Sequence, residues 1–442
     1  MTEAAIEHYL GQYSRLQPVT PDWINEIRES AIRQFSRNGF PTPRNENWKY
    51  TDVRPIVKRD FVAIAPGPDS VPKELLDKYS FRQTDCYELV FANGCFLPGY
   101  SSVPELDQGV VVTSLAQVLQ DDNADIRACL ETFAARHKSA FDELNSAFLS
   151  DGACLCIADG TVLDKPVHLL FLGGQQAKSQ AFHIRNLIIA GKHTRITVVE
   201  TYAGQESAEY LTNTITEIAA DEGAQLTHYK LQQESLKGFH VGSVRVTLKR
   251  DSRVESHSIS LGGALVRNNI DADLVEPGSE VVMNGLYIAG GKQHIDNHTC
   301  VNHLVPNTTS AEYYRGVLNG SARGVFNGRV VVHEKAQKTD AHQSNANLLL
   351  SDNAEVDTKP ELEIYADDVK CSHGATIGQL DETMMFYLRS RAIDKDTARS
   401  LLTFAFAEDV IKRIGFQPVR ERLELSVVGK LPDTDLIRNF IK

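Results

Sequence analysis

Short β-branched segments separated by polar turns fill residues 152–364, and this stretch restricts the fold more than any other feature. Some segments alternate, with Val244, Val246 and Leu248 at every second position and charged or polar residues between them. Other segments, such as residues 167–172, are continuously apolar, as in strands buried on both faces. No long helical pattern interrupts the region, which disfavours βαβ crossovers and favours strands wound as a solenoid.

The turns within this region recur with a regular spacing. Polar turns at residues 221–224, 250–253 and 276–279 follow one another at a nearly constant interval. A constant interval is typical of architectures built coil by coil. We therefore predict a mainly β protein with a right-handed parallel β-helix at its core.

Helical patterns flank the predicted β-helix. We expect an N-terminal helical domain with short strands at residues 1–150, the β-helix core at 151–380, and a C-terminal helical domain at 381–442. Asp381 and Asp394 are the predicted N-caps of two C-terminal helices.

The helix predicted after Asp394 is apolar over much of its circumference. Such a surface indicates a protein partner, and burial against neighbouring helices is an equally consistent interpretation. The candidate docking residues on this helix are Leu401, Leu402, Phe404, Phe406 and Val410.

The composition argues against several classes of partner. The 442 residues carry a formal net charge of -12, whereas nucleic-acid-binding proteins usually present a basic face. The seven cysteines form no CxxC pair, which indicates reduced thiols rather than a disulfide framework or a zinc knuckle. No apolar run has the length of a membrane span, and the first residues resemble neither a secretory signal nor a transit peptide. We expect a cytoplasmic protein that binds neither nucleic acid nor membrane.

Common catalytic signatures are missing from the sequence. It contains neither GxxxxGK[ST] nor GxSxG, so we do not expect nucleotide hydrolysis or a serine hydrolase elbow. Asp367 and Asp368 are the obvious carboxylate pair for glycan cleavage. Because neighbours in a strand face opposite sides, the two acids would not readily share a substrate. A polysaccharide-active solenoid remains a disfavoured alternative.

Potential metal ligands concentrate between residues 294 and 373. Cys371 and His373 would share one face of a strand, and a thiolate beside an imidazole suits iron–sulfur or zinc ligation. Two ligands do not complete a site, so the remainder would come from elsewhere, such as a second chain. The residues of this set are His294, His298, Cys300, His303, His333, His342, Cys371 and His373.

Three motifs resemble one known family. YADDVKCSHGATIGQLDE at residues 365–382, FYLRSRAI at 386–393 and ENWKYTDV at 46–53 resemble the SufD side of the SufB/SufD family, which belongs to the SufBCD iron–sulfur cluster assembly complex. The resemblance extends over most of the chain. An N-terminal cysteine motif common in SufB subunits is missing here, and the chain has SufD-like size.

The resemblance implies a β-helix core that pairs with a SufB-like subunit, and C-terminal helices that dock a SufC-like ATPase. It implies that His373 lies at the SufB–SufD interface and helps to build a transient iron–sulfur cluster shared with SufB. Cys371 belongs to the same motif with a less defined role. The family is also linked to iron acquisition and to a reduced flavin, for which we assign no residue.

Together these observations predict a non-enzymatic scaffold subunit. ATP hydrolysis is expected from the SufC-like partner. Two alternatives stay open, a SufB-like subunit that holds the main cluster ligands and the polysaccharide-active enzyme. In the absence of its partners, a homodimer of the chain is a further alternative.

Overall fold

The structure is a computed structural model that describes residues 2–19, 21–63, 71–121, 123–134, 139–174 and 179–432. Helices lie at both ends of the chain, and strands dominate the middle. The α-helices are α1 Thr2–Tyr13, α2 Trp23–Asn38, α3 Arg54–Val57, α4 Lys73–Tyr79, α5 Leu115–Val118, α6 Ala124–Ala134, α7 Ala140–Ala147, α8 Glu382–Ser390, α9 Lys395–Ile411 and α10 Gln417–Val428.

Strands begin before the region in which the sequence pattern is clearest. The first three strands lie at the start of the β-structure, and the later strands follow one another with short turns between them. The strands are β1 Tyr87–Ala92, β2 Cys95–Phe96, β3 Val110–Ser114, β4 Ala153–Ile157, β5 Val167–Gly173, β6 Gln180–Ala190, β7 Arg195–Gly204, β8 Tyr210–Ala220, β9 Gln225–Gln233, β10 Phe239–Leu248, β11 Arg253–Ser260, β12 Leu265–Leu274, β13 Glu280–Ala289, β14 His294–His303, β15 Thr309–Leu318, β16 Arg323–Val332, β17 Asp340–Leu349, β18 Glu355–Ile364 and β19 Lys370–Gly378.

Consecutive strands from β4 to β19 alternate between two sheets. Even-numbered strands form one sheet and odd-numbered strands the other, and each strand pairs in parallel with the strand two positions along the chain. Val246 of β10 is in register with Ala272 of β12, which is in register with Val301 of β14. All three side chains are buried between the sheets. The predicted β-helix core flanked by helical regions is confirmed.

The turns stack on one another along one edge of the solenoid. Gly223 N–H donates to the carbonyl of Arg250 at 2.8 Å, and Gly278 N–H donates to the carbonyl of Asn307 at 2.8 Å. Both glycines have positive φ values, 67° and 80°, which an L side chain adopts only with strain. This stacking of equivalent turns explains the nearly constant interval in the sequence.

Of the N-terminal helices, α7 packs on the outer face of the nine-stranded sheet, whereas α4 packs on the ten-stranded sheet. Phe141 of α7 contacts an apolar cluster that includes Leu211 and Phe239 on that sheet. Asn145 of α7 donates from Nδ2 to the carbonyls of Ile184 at 2.8 Å and Asn213 at 2.9 Å. These bonds fix α7 to two neighbouring strands.

Two of the C-terminal helices, α9 and α10, cover the opposite, ten-stranded sheet. Ile411 of α9 and Leu423 of α10 are fully buried in a cluster with Leu231 and Leu286 of the sheet. The predicted caps are confirmed. Asp381 accepts hydrogen bonds from amides of the first turn of α8, and Asp394 does the same for α9.

Strands of the N-terminal region also join the solenoid. β1 pairs in parallel with β5, and β3 pairs antiparallel with β4, so both sheets extend into residues 1–150. The predicted division at residues 150 and 380 stays a prediction, and residues 433–442 of the predicted C-terminal domain lie outside the described residues. In the described ranges, no helix is both long enough and apolar enough to cross a bilayer.

Candidate functional site at the open end of the solenoid

The solenoid ends at two strands that each have one neighbour in their own sheet. β19 pairs with β17, β18 pairs with β16, and no described strand pairs with their other edges. The amide of Lys370 donates to the carbonyl of Thr339 at 2.9 Å, towards β17. Because alternate residues of a parallel strand direct their backbone groups to opposite edges, those of Cys371 and His373 face the free edge. We refer to β18 and β19 as the open end.

β19 contains both residues of the predicted cysteine and histidine pair. Cys371 is half-buried and packs beside a small cluster that includes Val330, Ala341 and Ala366. Since side chains alternate along a strand, His373, two residues after Cys371, lies on the same inward face. His373 is exposed because no further coil covers it. The roles of the two residues as ligands stay predictions.

The environment of Cys371 favours the neutral thiol. Partial burial raises its pKa above the ordinary value, and the carboxylate of Asp340 raises it further. Asp340 also pairs with His342, whose Nδ1 lies 2.6 Å from the hydroxyl of Ser372. Cys371 is therefore protonated at neutral pH, and a positive charge or a metal ion has to approach before it becomes a thiolate ligand.

Large apolar side chains are exposed at the open end. Tyr365 is 62% exposed and Ile377 is 50% exposed, although both lie on or beside the last two strands. On α8, which follows β19, Phe386 is 74% exposed and Met384 and Tyr387 are about half exposed. Exposed apolar residues beside an unpaired strand edge, as Tyr365 and Ile377 are here, are typical of a protein interaction surface.

The two acids of the same motif do not lie in a strand. The prediction placed Asp367 and Asp368 on opposite faces of a strand, and this placement is wrong, since both residues lie in a bend between β18 and β19. The bend forms because β18 has to connect to the other sheet at this point. Asp368 forms an ion pair with Lys338 in the equivalent turn of the preceding coil.

The remaining histidines of the cluster are dispersed. His303 is buried and shares hydrogen bonds with the hydroxyls of Thr308 at 2.7 Å and Ser310 at 2.9 Å. His294 and His298 lie on the outer face of β14, where burial lowers the pKa of each. Across the residues that the structure describes, no three His, Cys, Asp or Glu side chains are arranged to hold a metal ion. Among the described residues, Cys371 and His373 therefore have no third side chain that would complete a metal site with them.

Comparison with known families identifies the chain. The family model described as SUF system FeS cluster assembly, SufBD core domain, matches residues 171–406, and the SufBD protein N-terminal region matches residues 2–169. The chain belongs to the SufBD family. The resemblance drawn from the motifs at residues 46–53 and 365–393 is thereby confirmed.

Individual SufBD relatives cover nearly the whole chain. An iron–sulfur cluster assembly SufBD family protein of Synechocystis is 31% identical over 90% of this chain and 89% of its own length. The iron–sulfur cluster assembly protein SufD of Escherichia coli is 30% identical over 91% of this chain and 92% of its own length. SufD of Bacillus subtilis is 24% identical over 96% of this chain and 97% of its own length. These matches assign the chain to iron–sulfur cluster assembly.

The SufBD core domain model ends within α9, the helix that carries the predicted docking residues. Val410 is 1% exposed and packs against the sheet. Leu401, Leu402, Phe404 and Phe406 are only partly buried. Docking through these residues stays a prediction, and for Val410 it would require a side chain to leave the core.

A polar group that was not predicted from the sequence lies inside this SufBD solenoid. Glu312 of β15 is buried between the sheets and accepts hydrogen bonds from Thr299 Oγ1 at 2.7 Å and Gln343 Nε2 at 3.3 Å. Burial raises the pKa of Glu312 to about 7. The sequence did indicate this interior position, because strand alternation directs the side chains of Glu312 and Gln343 to the inside of the solenoid.

Proposed function

We propose that this chain is a non-enzymatic scaffold subunit for iron–sulfur cluster assembly, and that it acts at the open end of its solenoid. There it pairs with a SufB-like subunit and contributes His373, with Cys371 beside it, to the ligands of a nascent cluster. The observation that carries this proposal is the free edge of β19, the strand that contains both residues.

Pairing through the open end is supported by the unpaired strand edges. An exposed edge presents a row of free N–H and C=O groups that another strand can satisfy. Pro360 of β18 fits this arrangement. Glu355 N–H points to β16, so residue 360 is oriented towards the free edge, where a missing N–H breaks no bond within the sheet. Isolated chains would offer the same edge to a second copy, which supports a homodimer in the absence of partners.

A second subunit would also complete the chemistry at Cys371. The thiol is protonated in this chain, so ligand exchange with iron has to release its proton. Cationic residues or iron held by a SufB-like partner would lower the pKa of the thiol and favour the thiolate. In this proposal iron and the cluster are the cargo of the complex, and iron acquisition occurs at the same interface.

Docking of a SufC-like ATPase is assigned to the C-terminal helices. Leu401, Leu402, Phe404 and Phe406 of α9 retain exposed apolar surface, and the sequence lacks a nucleotide-binding motif of its own. Because α9 and α10 pack directly on the strands, force applied to them by an ATPase would reach the solenoid. We place this activity in the cytoplasm. A reduced flavin of the complex has no assigned site here.

Replacement of His373 by Ala tests the proposed site. In a complex reconstituted with SufB-like and SufC-like subunits, His373→Ala should assemble normally but form little cluster, measured by visible absorbance and bound iron and sulfide. Cys371→Ser should reduce cluster formation to a smaller extent. His193→Asn removes an exposed histidine in the turn between β6 and β7, outside the set of potential ligands, and should have no effect. Undiminished cluster formation by His373→Ala would refute the site assignment.

Copurification separates this proposal from the other classes of function. We expect a tagged chain to retain both a SufB-like subunit and an ATPase from a native extract. A polysaccharide-active enzyme would turn over its substrate without either partner. In a SufB-like subunit, substitution of cysteines across the whole chain would abolish cluster binding, whereas a SufD-like scaffold would retain much of it.

A further inference from the structure

Gln343 occupies the position directly behind His373 on the inner face of the solenoid. Glu312 of β15 is in register with Gln343 of β17, and Gln343 is in register with His373 of β19. The three side chains therefore form consecutive rungs of one inward-facing row. Glu312 and Gln343 are buried, with 1% and 4% of their surface exposed, whereas His373 is exposed.

The contacts of Gln343 define the orientation of its amide. Nε2 donates to Oε2 of Glu312 at 3.3 Å, and the same carboxylate oxygen accepts from Thr299. Above its pKa of about 7, Glu312 is an ionised carboxylate that only accepts hydrogen bonds, so at pH 8 the NH₂ group of Gln343 faces Glu312, as it does in the structure. Its carbonyl oxygen Oε1 consequently faces away from Glu312 and towards the rung of His373.

The opposite sheet leaves room for this arrangement. A Cβ atom added to Gly328 of β16 would lie 2.2 Å from Nε2 of Gln343, so the amide extends across the interior to a position that only glycine allows. Yet Oε1 of Gln343 has no hydrogen-bond partner among the described residues, although it is buried. A buried unpaired carbonyl destabilises the fold by about 1–3 kcal/mol, which favours the existence of a partner in the working state.

We propose that Gln343 is the positioning residue for His373, with Oε1 accepting the N–H of one imidazole nitrogen and leaving the other nitrogen free to bind iron. Histidines that bind metals characteristically donate their second ring N–H to a carbonyl or carboxylate, which fixes the tautomer and the ring orientation. In the structure no hydrogen bond joins the two side chains, and the proposed contact requires the exposed imidazole to rotate towards Oε1. Glu312 and Thr299 hold the acceptor in place.

The tautomer of His373 tests this proposal in the isolated full-length chain. With ¹⁵N-labelled histidine at pH 8, the resonances of His373 are assigned by their loss in His373→Gln. We expect the wild type to show one tautomer, with one protonated and one unprotonated ring nitrogen. Gln343→Leu should give averaged nitrogen shifts from both tautomers. An averaged wild type, or an unchanged Gln343→Leu variant, would overturn the proposal.

Two further variants control for general effects on the fold. Gln293 is another buried glutamine, which donates from Nε2 to the carbonyl of Gly263 at 2.8 Å, and Gln293→Leu should leave the tautomer of His373 unchanged. Gln343→Glu should retain a single tautomer. The new carboxyl group can share a proton with Glu312 on one side and still offer an acceptor oxygen to His373 on the other. If Gln343→Leu does not fold, Gln343→Ala removes the same acceptor with a smaller side chain.

The functional readout rests on the proposed role of His373 in cluster formation. In the reconstituted complex, Gln343→Leu should slow cluster formation by about 10-fold or more, as is typical when the partner of a ligating histidine is lost. If His373→Ala impairs assembly and Gln343→Leu does not, this inference fails alone. If neither variant impairs assembly, the proposed function fails, and the tautomer measurement still decides the contact between Gln343 and His373.

Discussion

Glu312 is a buried acid whose charge depends on pH near neutrality. Its pKa is raised by burial to about 7, whereas an unfolded glutamate titrates near 4.5. Unfolding therefore releases a proton between these values, so the stabilising effect present below pH 4.5 is lost as pH rises through 7. This difference corresponds to about 3 kcal/mol. Relative to the wild type, Glu312→Gln should gain stability by up to this amount between pH 4.5 and 8 in urea unfolding.

An exposed acid provides the control for this pH dependence. Glu334→Gln changes a carboxylate in the exposed turn before β17 and should follow the wild type at every pH. Parallel stability curves for Glu312→Gln and the wild type would show that Glu312 titrates as an ordinary glutamate. That result would contradict the raised pKa of Glu312, but it would leave Glu312 ionised at pH 8, as the orientation of the Gln343 amide requires.

Strand alternation predicted that Cys371 and His373 share one face, because the face on which a strand residue lies depends only on its position along the strand. It could not predict the environment of Arg245. The pattern directs Arg245 away from the core, yet the residue is 4% exposed, because α7 covers this face and Asp142 pairs with it at 3.1 Å. The partner is about a hundred residues away in the sequence. Periodicity carries no information about such contacts.

Tyr229 connects the C-terminal helices to the solenoid. Its hydroxyl oxygen accepts hydrogen bonds from the amides of Gly415 at 3.2 Å and Phe416 at 3.3 Å, between α9 and α10. Tyr229→Phe should lower the free energy of unfolding by about 1–2 kcal/mol, because water replaces part of the lost bonding at the exposed Gly415. Hydrogen exchange at these two amides should become about tenfold faster, as for a local loss of 1.4 kcal/mol.

Tyr313→Phe is the matched control for this connection. Tyr313 contacts the same helical region through its ring, over which the guanidinium of Arg413 lies at 3.8 Å from the centroid. Removal of its hydroxyl retains that contact and should leave the two amides unchanged. If Tyr229→Phe and Tyr313→Phe have the same exchange rates at residues 415 and 416, the Tyr229 hydroxyl does not hold the helices.

The start of α9 followed from the sequence, whereas the division of its surface did not. Asp394 and the residues after it carry the cap and the helical pattern locally, and the structure places the helix where they predict. Val410 and Phe406 look alike in the sequence as apolar helix positions. Only the position of the ten-stranded sheet decides that Val410 is buried and that Phe406 keeps an exposed surface.

The two ends of the solenoid differ. At the beginning, β2 pairs antiparallel with β1 and β3 pairs antiparallel with β4, so antiparallel strands terminate both sheets. At the other end, β18 and β19 stop with free edges among the described residues. Antiparallel closure of one end and exposure of the other are consistent with growth of the sheets into a second subunit rather than with an isolated β-helix.

Substitutions at the open end should therefore separate assembly from folding. Ala375 directs its backbone towards the free edge, so Ala375→Pro should block strand addition and retain the ladder with β17. Ile377→Lys places a charge in the same exposed surface. Both variants should lower affinity for a SufB-like subunit by at least about tenfold, a loss of 1.4 kcal/mol, in a titration by calorimetry.

Val162 provides a control with similar exposure at a different place. It is 52% exposed, compared with 50% for Ile377, and forms an isolated bridge with Arg195 near the start of the solenoid. Val162→Lys should bind the SufB-like subunit with wild-type affinity. Thermal unfolding of all three variants should resemble the wild type. Equal affinities for Ile377→Lys, Ala375→Pro and Val162→Lys would show that the partner binds elsewhere, since only the first two change the surface around His373.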